Sequence, residues 1–166
     1  MKTVVVRDTI YLPSGTTLDG GGKTVTVPKP YLTAGGAVTD DYSEYCVFKV
    51  DSGAAVTIRN MTILGGGRKY LTDDGNSDYI GGIYNNGSLT LENVNVSRCY
   101  RGIWNDSSGK LVMKNTNVVN NAAKFGGGIV NNGVLVMDGC SLSANRSIRS
   151  GNGGGRRRPR VYGREG

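Results

Sequence analysis

Three consecutive segments of this chain are copies of one another. They read GGIYNNGSLTLENVNVSRC from Gly81, RGIWNDSSGKLVMKNTNVVNN from Arg101 and GGGIVNNGVLVMDGCSLSAN from Gly126. Superposed, their apolar positions coincide. Leu89, Leu111 and Leu135 share one slot, and Leu91, Met113 and Met137 share the next. Val94, Thr116 and Cys140 follow, then Val96, Val118 and Leu142. Leu89 and Leu111 are 22 residues apart, and Leu111 and Leu135 are 24 apart. Self-similarity at such a period marks a solenoid, in which one unit cannot bury its own apolar face and stacking supplies the core.

Two earlier stretches fit the same template. Leu12 leads to Leu18, and Val50 to Val56, across a turn rich in Gly and small polar residues, as Ile83 leads to Leu89 and Ile129 to Leu135. Alternation such as Val56-Thr57-Ile58 has the period of two expected of strands. The intervening Gly and Asn supply the left-handed backbone angles of tight corners. No segment has the apolar spacing and caps of an amphipathic helix. These features predict an all-β fold, a single-stranded parallel β-helix of about five to six coils over residues 1–149. Asn recurs at fixed offsets as well: Asn60, Asn93 and Asn115 in one series, Asn85, Asn105 and Asn131 in another. An amide at a bend can bond its own backbone and its copy in the next coil, so both series are expected to be structural ladders.

Composition narrows the function. The net charge of +7 is uneven: from Arg146 onward there are seven Arg and one Glu, leaving +1 on the first 145 residues. The basic character therefore belongs to the C-terminal end and not to the repeats. After Asn145 the template calls for another Gly-Gly-Gly-Ile, but Gly155 is followed by Arg156. An Arg at an inward slot would bury an unpaired charge, so residues 150–166 are expected to form a disordered Gly/Arg-rich tail. Nucleic acid or another anionic polymer is an expected partner only through that tail. The last coil would then expose an uncapped edge suited to self-association. The chain has no His, which removes Ser-His-Asp and Cys-His catalysis and most zinc chemistry. Cys46, Cys99 and Cys140 form no Cys-x-x-Cys pair and read as small buried hydrophobes. No run approaches a transmembrane span. Met1 to Arg7 lacks a signal-peptide pattern, so the chain either stays in the cytoplasm or, the preferred expectation, is a piece of a longer secreted or cell-surface protein.

With these residues in view, the pattern resembles the right-handed parallel β-helix of the pectin-lyase-like superfamily. The GGGI stretch at 126–129 followed by LSAN at 142–145 is similar to the repeats of bacterial autotransporter and polymorphic outer-membrane-type surface proteins. Those repeats pair a Gly-Gly-aliphatic motif with a Phe-x-x-Asn motif. Here Leu142 or Val118 stands where that family has Phe. The opening IYLPSGTTLDGGGKTVTV resembles the first coil of secreted, carbohydrate-associated β-helix proteins. The resemblance implies a right-handed fold and a secreted or cell-surface setting.

Two links between repeats are long. Val27 to Val50 spans 23 residues and Ile63 to Ile83 spans 20, and both leave from the same slot. They are expected to project from one corner and touch. Loops on a rigid scaffold are where sites usually sit. The first carries Tyr31, Asp40, Asp41, Tyr42 and Tyr45; the second carries Arg68, Tyr70, Asp73, Asp74, Asp78 and Tyr79. Aromatic faces suit sugar rings, which makes Tyr31, Tyr42, Tyr45, Tyr70 and Tyr79 candidate carbohydrate-binding residues. Asp73, Asp74 and Asp78 could together hold Ca²⁺, a hard cation that wants six to eight oxygens; no other cofactor is expected. Glycoside hydrolysis needs two carboxylates at a set separation, and Asp40, Asp41, Asp73 and Asp74 are the candidates. Arg68 would be the base of a lyase. The leading expectation is nonetheless a non-enzymatic scaffold, an adhesin or passenger segment facing a polysaccharide or host surface. A polysaccharide lyase or glycoside hydrolase built on the Tyr/Asp corner is the alternative.

Overall fold

The structure is a computed structural model that describes residues 2–67, 69–70, 78–79 and 81–148, with side chains described outside 68–80. The expected tail at 150–166 lies outside these residues. The first part of the chain supplies β1 (Thr3–Val5), β2 (Ile10–Tyr11), β3 (Thr17–Thr26), β4 (Phe48–Val50) and β5 (Ala55–Leu64). Two short strands follow, β6 (Lys69–Tyr70) and β7 (Asp78–Tyr79), and then β8 (Ile83–Asn85), β9 (Ser88–Ser97) and β10 (Ile103–Asn105). The last part gives β11 (Lys110–Lys114), β12 (Asn117–Val119), β13 (Ala122–Ala123), β14 (Ile129–Asn131), β15 (Val134–Asp138), β16 (Ser141–Ser143) and β17 (Arg146–Ser147). Among the described residues there is no helix, hence none long and apolar enough to cross a membrane.

Every repeat contributes one strand to each of two long parallel sheets. One runs β2-β4-β8-β10-β14 and the other β1-β3-β5-β9-β11-β15, with β12 and β16 extending the second along its side. Pairing is in register, so Leu89, Leu111 and Leu135 are direct neighbours, as are Ile83, Ile103 and Ile129. This all-β stack of parallel strands is compatible with a parallel β-helix.

Alternation decides what is inside. Val56, Ile58, Met61 and Ile63, their counterparts Leu89, Leu91, Val94 and Val96, and then Leu111, Met113, Thr116 and Val118 are all buried. At the last repeat Leu135, Met137, Cys140 and Leu142 are only half-buried, because no described strand lies beyond them. Close approach between layers explains the Gly before each Ile. A Cβ on Gly82 would lie 2.7 Å from the Gly102 carbonyl oxygen, and one on Gly102 would lie 2.8 Å from that of Gly128.

The corners are left-handed in columns. Asn60, Asn93, Asn115 and Gly139 have φ of 55, 53, 46 and 63°. Asn tolerates this region better than most residues, and Gly without cost. Gly139, which interrupts the Asn series in sequence, therefore continues it in backbone. A second column, Gly65, Arg98, Asn120 and Ala144, has φ of 85, 57, 56 and 52°. Inside the other bend, Asn85 Nδ2 donates to Asn105 Oδ1 at 2.8 Å, and Asn105 Nδ2 donates to Asn131 Oδ1 at 2.7 Å. On the outer face of the long sheet a charged column alternates in sign: Asp19, Arg59, Glu92, Lys114, Asp138. Arg59 Nε lies 3.0 Å from Asp19 Oδ2, and Lys114 Nζ lies 4.0 Å from Glu92 Oε1.

Candidate functional site

The two inserts do meet at their bases. Tyr31 N–H donates to the Gly65 carbonyl at 3.0 Å, and Gly67 N–H donates to the Tyr45 carbonyl at 2.9 Å. The first insert carries its aromatics differently from an open platform. Tyr31 is 6% exposed. Tyr42 meets its ring edge-on at 4.7 Å between centroids, and Tyr100, from a neighbouring repeat, does so at 5.1 Å. Edge-to-face pairs of this kind hold a loop against its scaffold. Leu32, Ala122 and Ala123 complete the cluster. Tyr45 is half-buried and donates its hydroxyl to the Val6 carbonyl at 2.7 Å. Asp40 and Asp41 are exposed, and Asp41 pairs with Lys29.

For the second insert, backbone alone is described. Tyr70 and Asp78 are neighbours in the antiparallel β6–β7 pair, and Tyr79 faces Lys69; their side chains lie outside the described residues. Arg68, Asp73 and Asp74 lie wholly outside them. Among the described residues, no group of three His, Cys, Asp or Glu is placed to hold a metal ion.

A surface that the sequence reading passed over lies on the five-stranded sheet. The residue after each inward Ile or Phe turns outward, because side chains alternate along a strand. In register these residues are Tyr11, Lys49, Tyr84, Trp104 and Val130. Neighbouring strands lie about 4.8 Å apart, so the strip is a file of three rings interrupted by one ammonium and ended by Val130. Lys49 Nζ sits 5.3 Å from the Tyr11 ring centroid and 5.7 Å from that of Tyr84, and 3.4 Å from Asp51 Oδ1. Tyr84 donates its hydroxyl to Asp106 Oδ2. The Arg101 guanidinium lies 4.6 Å from the Trp104 ring centroid. That guanidinium is buried, and its Nη2 donates to the Phe125 carbonyl at 2.7 Å. Tyr11 is 58% exposed, while Tyr84 and Trp104 are half-buried. The signal was available: position i+1 after each Ile or Phe slot is aromatic or Lys in four of the five repeats.

A second buried amide stack also escaped the sequence reading. Asn121 accepts the Cys99 N–H at 3.0 Å and donates to the Val96 carbonyl and to Asn145 Oδ1, both at 3.0 Å. Asn145 donates to the Val118 carbonyl at 2.7 Å. Cys99 holds the equivalent place one repeat earlier, which hides the series. Its thiol is fully buried, and burial pushes its pKa up to about 12. A thiol held protonated in this way is a packing group and not a nucleophile. Compared with protein-family models and with curated proteins, the chain has no match in either.

Proposed function

We propose that the chain is a right-handed, single-stranded parallel β-helix of about five to six coils, akin to the pectin-lyase-like solenoids. In this reading it serves as a non-enzymatic binding scaffold in a secreted or cell-surface protein. The observation that supports it is the outward file of Tyr11, Lys49, Tyr84 and Trp104. Rings presented at strand spacing on a rigid sheet offer the apolar faces of a polysaccharide a set of platforms. Lys49 and Asp51 beside them add hydrogen-bonding groups for hydroxyls. The buried polar groups of the repeats serve the fold: the Asn85, Asn105 and Asn121 amides are spent on backbone and on one another.

Trp104 is the sole Trp, so its fluorescence reports on the strip. Titration with neutral and acidic oligosaccharides is expected to quench or shift it. Tyr11→Ala, at an exposed position, should weaken binding about three- to tenfold, consistent with the loss of one ring contact. Polygalacturonate with Ca²⁺ should give no ultraviolet-absorbing unsaturated product. Release of that product would replace the scaffold reading with a lyase. Failure of every glycan to perturb Trp104 would remove the strip as a binding surface.

A further inference from the structure

On the other sheet, a groove of about 490 Å³ opens between the loop at residues 33–36 and the outer face of the repeats. Its floor carries Thr62, Asn95 and Ser97, and its far rim is formed by Asn120 and Ala144. The loop is a closed turn. Gly36 N–H donates to the Thr33 carbonyl at 2.9 Å, Thr33 N–H donates to the Ala37 carbonyl at 2.8 Å, and Leu32 bridges Val38. Two arginines from the repeats reach up to it. Arg98 Nε donates to the Leu32 carbonyl at 2.9 Å, and Arg146 Nη2 donates to the Gly36 carbonyl. Both line the groove.

A guanidinium has five N–H donors in a planar fork. Each of these two has one protein acceptor among the described residues and no carboxylate partner there. Among the described residues, no Asp or Glu lines the groove. Two positive charges therefore face a cleft whose floor offers a hydroxyl at Thr62, another at Ser97 and an amide at Asn95. Asn95 Oδ1 already accepts Asn117 Nδ2 at 2.9 Å, which leaves its own N–H groups for a ligand. The left-handed φ of 57° at Arg98 places it at the corner where the strand turns away. Non-Gly residues reach that region only at an energetic cost, so the corner is held by the surrounding stack.

We infer that this groove binds a saccharide bearing one oxyanion group. The oxyanion would take the free N–H donors of Arg98 and Arg146, and the ring hydroxyls would take Thr62, Asn95 and Ser97. Charge-assisted hydrogen bonds to guanidinium are the strong kind, and the volume suits a mono- or disaccharide. The groove and the aromatic strip lie on different sheets, so this site stands whether or not the strip binds glycans.

The test is calorimetric titration of the full chain at low salt with glucose 6-sulfate, glucose 6-phosphate, glucuronate and glucose. The charged sugars should bind at least about tenfold more tightly than glucose, and their ranking tells which oxyanion is read. Arg146→Gln should weaken the charged sugars about tenfold and leave glucose unchanged. Ser97→Trp should fill the groove and abolish binding while both arginines remain; Thr62→Leu, a smaller change, guards against misfolding in that variant. Wild-type affinity for the charged sugars in Arg146→Gln and Ser97→Trp would place the anion on the Arg-rich end of the chain and overturn the inference. Equal affinity for glucose and its sulfate would overturn it as well.

Discussion

Asn85→Leu tests whether the buried amides hold the stack together. Asn85 is fully buried. Its Oδ1 accepts the Gly87 N–H at 3.1 Å, and its Nδ2 donates to Asn105 Oδ1 at 2.8 Å and to the Lys110 carbonyl at 3.2 Å. Leu has the same branching at Cγ, is somewhat larger, and supplies none of these bonds. The Gly87 N–H and Asn105 Oδ1 are buried, so each becomes an orphan costing about 1–3 kcal/mol. The Lys110 carbonyl loses its Asn85 donor as well. Added apolar burial returns roughly 1.5 kcal/mol. The two orphans less that return give a net loss of about 0.5–4.5 kcal/mol, centred near 2.5. Ile83→Val, in the same strand, removes one methylene and should cost only about 0.5–1.5 kcal/mol. Equilibrium urea unfolding followed by Trp104 fluorescence compares the two. If Asn85→Leu is as stable as wild type, or loses less than Ile83→Val, the amide ladder is not a source of stability and the reasoning fails.

Other outcomes follow from the same structure. Gly81→Ala would set a Cβ 1.4 Å from the Arg101 carbonyl oxygen and 1.9 Å from that of Tyr100; backbone cannot yield that far, so the variant should not fold, and a native-like circular dichroism spectrum would refute this. Cys99 should resist alkylation at pH 8 until the chain is unfolded, whereas half-buried Cys140 should react sooner, as mass spectrometry of timed iodoacetamide quenches would show. Because the Cys99 pKa is raised from 9.0 to about 12 in the folded state, its stabilising contribution is complete below pH 9 and lost as pH rises toward 12; Cys99→Ala should flatten that alkaline decline in urea midpoints. Asp19 has its pKa lowered from 3.8 by the Gly21 N–H first, then by Asn60 and Arg59. Its contribution is therefore present above about pH 4 and lost as pH falls below it, and the difference in urea midpoint between wild type and Asp19→Asn should shrink on acidification.

The inward slots were legible because stacking imposes one spacing on every repeat. Leu89, Leu111 and Leu135 could be aligned by eye, and they are direct neighbours in the sheet. The Asn85, Asn105 and Asn131 ladder was legible for the same reason. What a long insert does with its aromatics was not. Tyr31 is covered by Tyr100, a residue 69 positions away, and nothing local to residues 27–48 announces that contact. Gly139 looked like a gap in an Asn series because side chains are what a sequence displays; the shared property is a left-handed backbone. The file Tyr11, Lys49, Tyr84, Trp104 was hidden by chemistry that varies from one repeat to the next while the position stays constant. Asn121 and Asn145 were hidden by Cys99, which breaks the series where it begins.

The alternating charges on the long sheet bear on how the chain counts. The interiors of the repeats are nearly interchangeable: a leucine from one would sit as well against its second neighbour as against its first. Nothing apolar penalises a skipped repeat. The outer column does. Leave one unit out and Arg59 faces Lys114, or Glu92 faces Asp138, like against like. Each such mismatch is worth only a few tenths of a kcal/mol at the surface, yet it separates arrangements that are otherwise degenerate. A faint parity code written in salt bridges keeps the winding from losing its place.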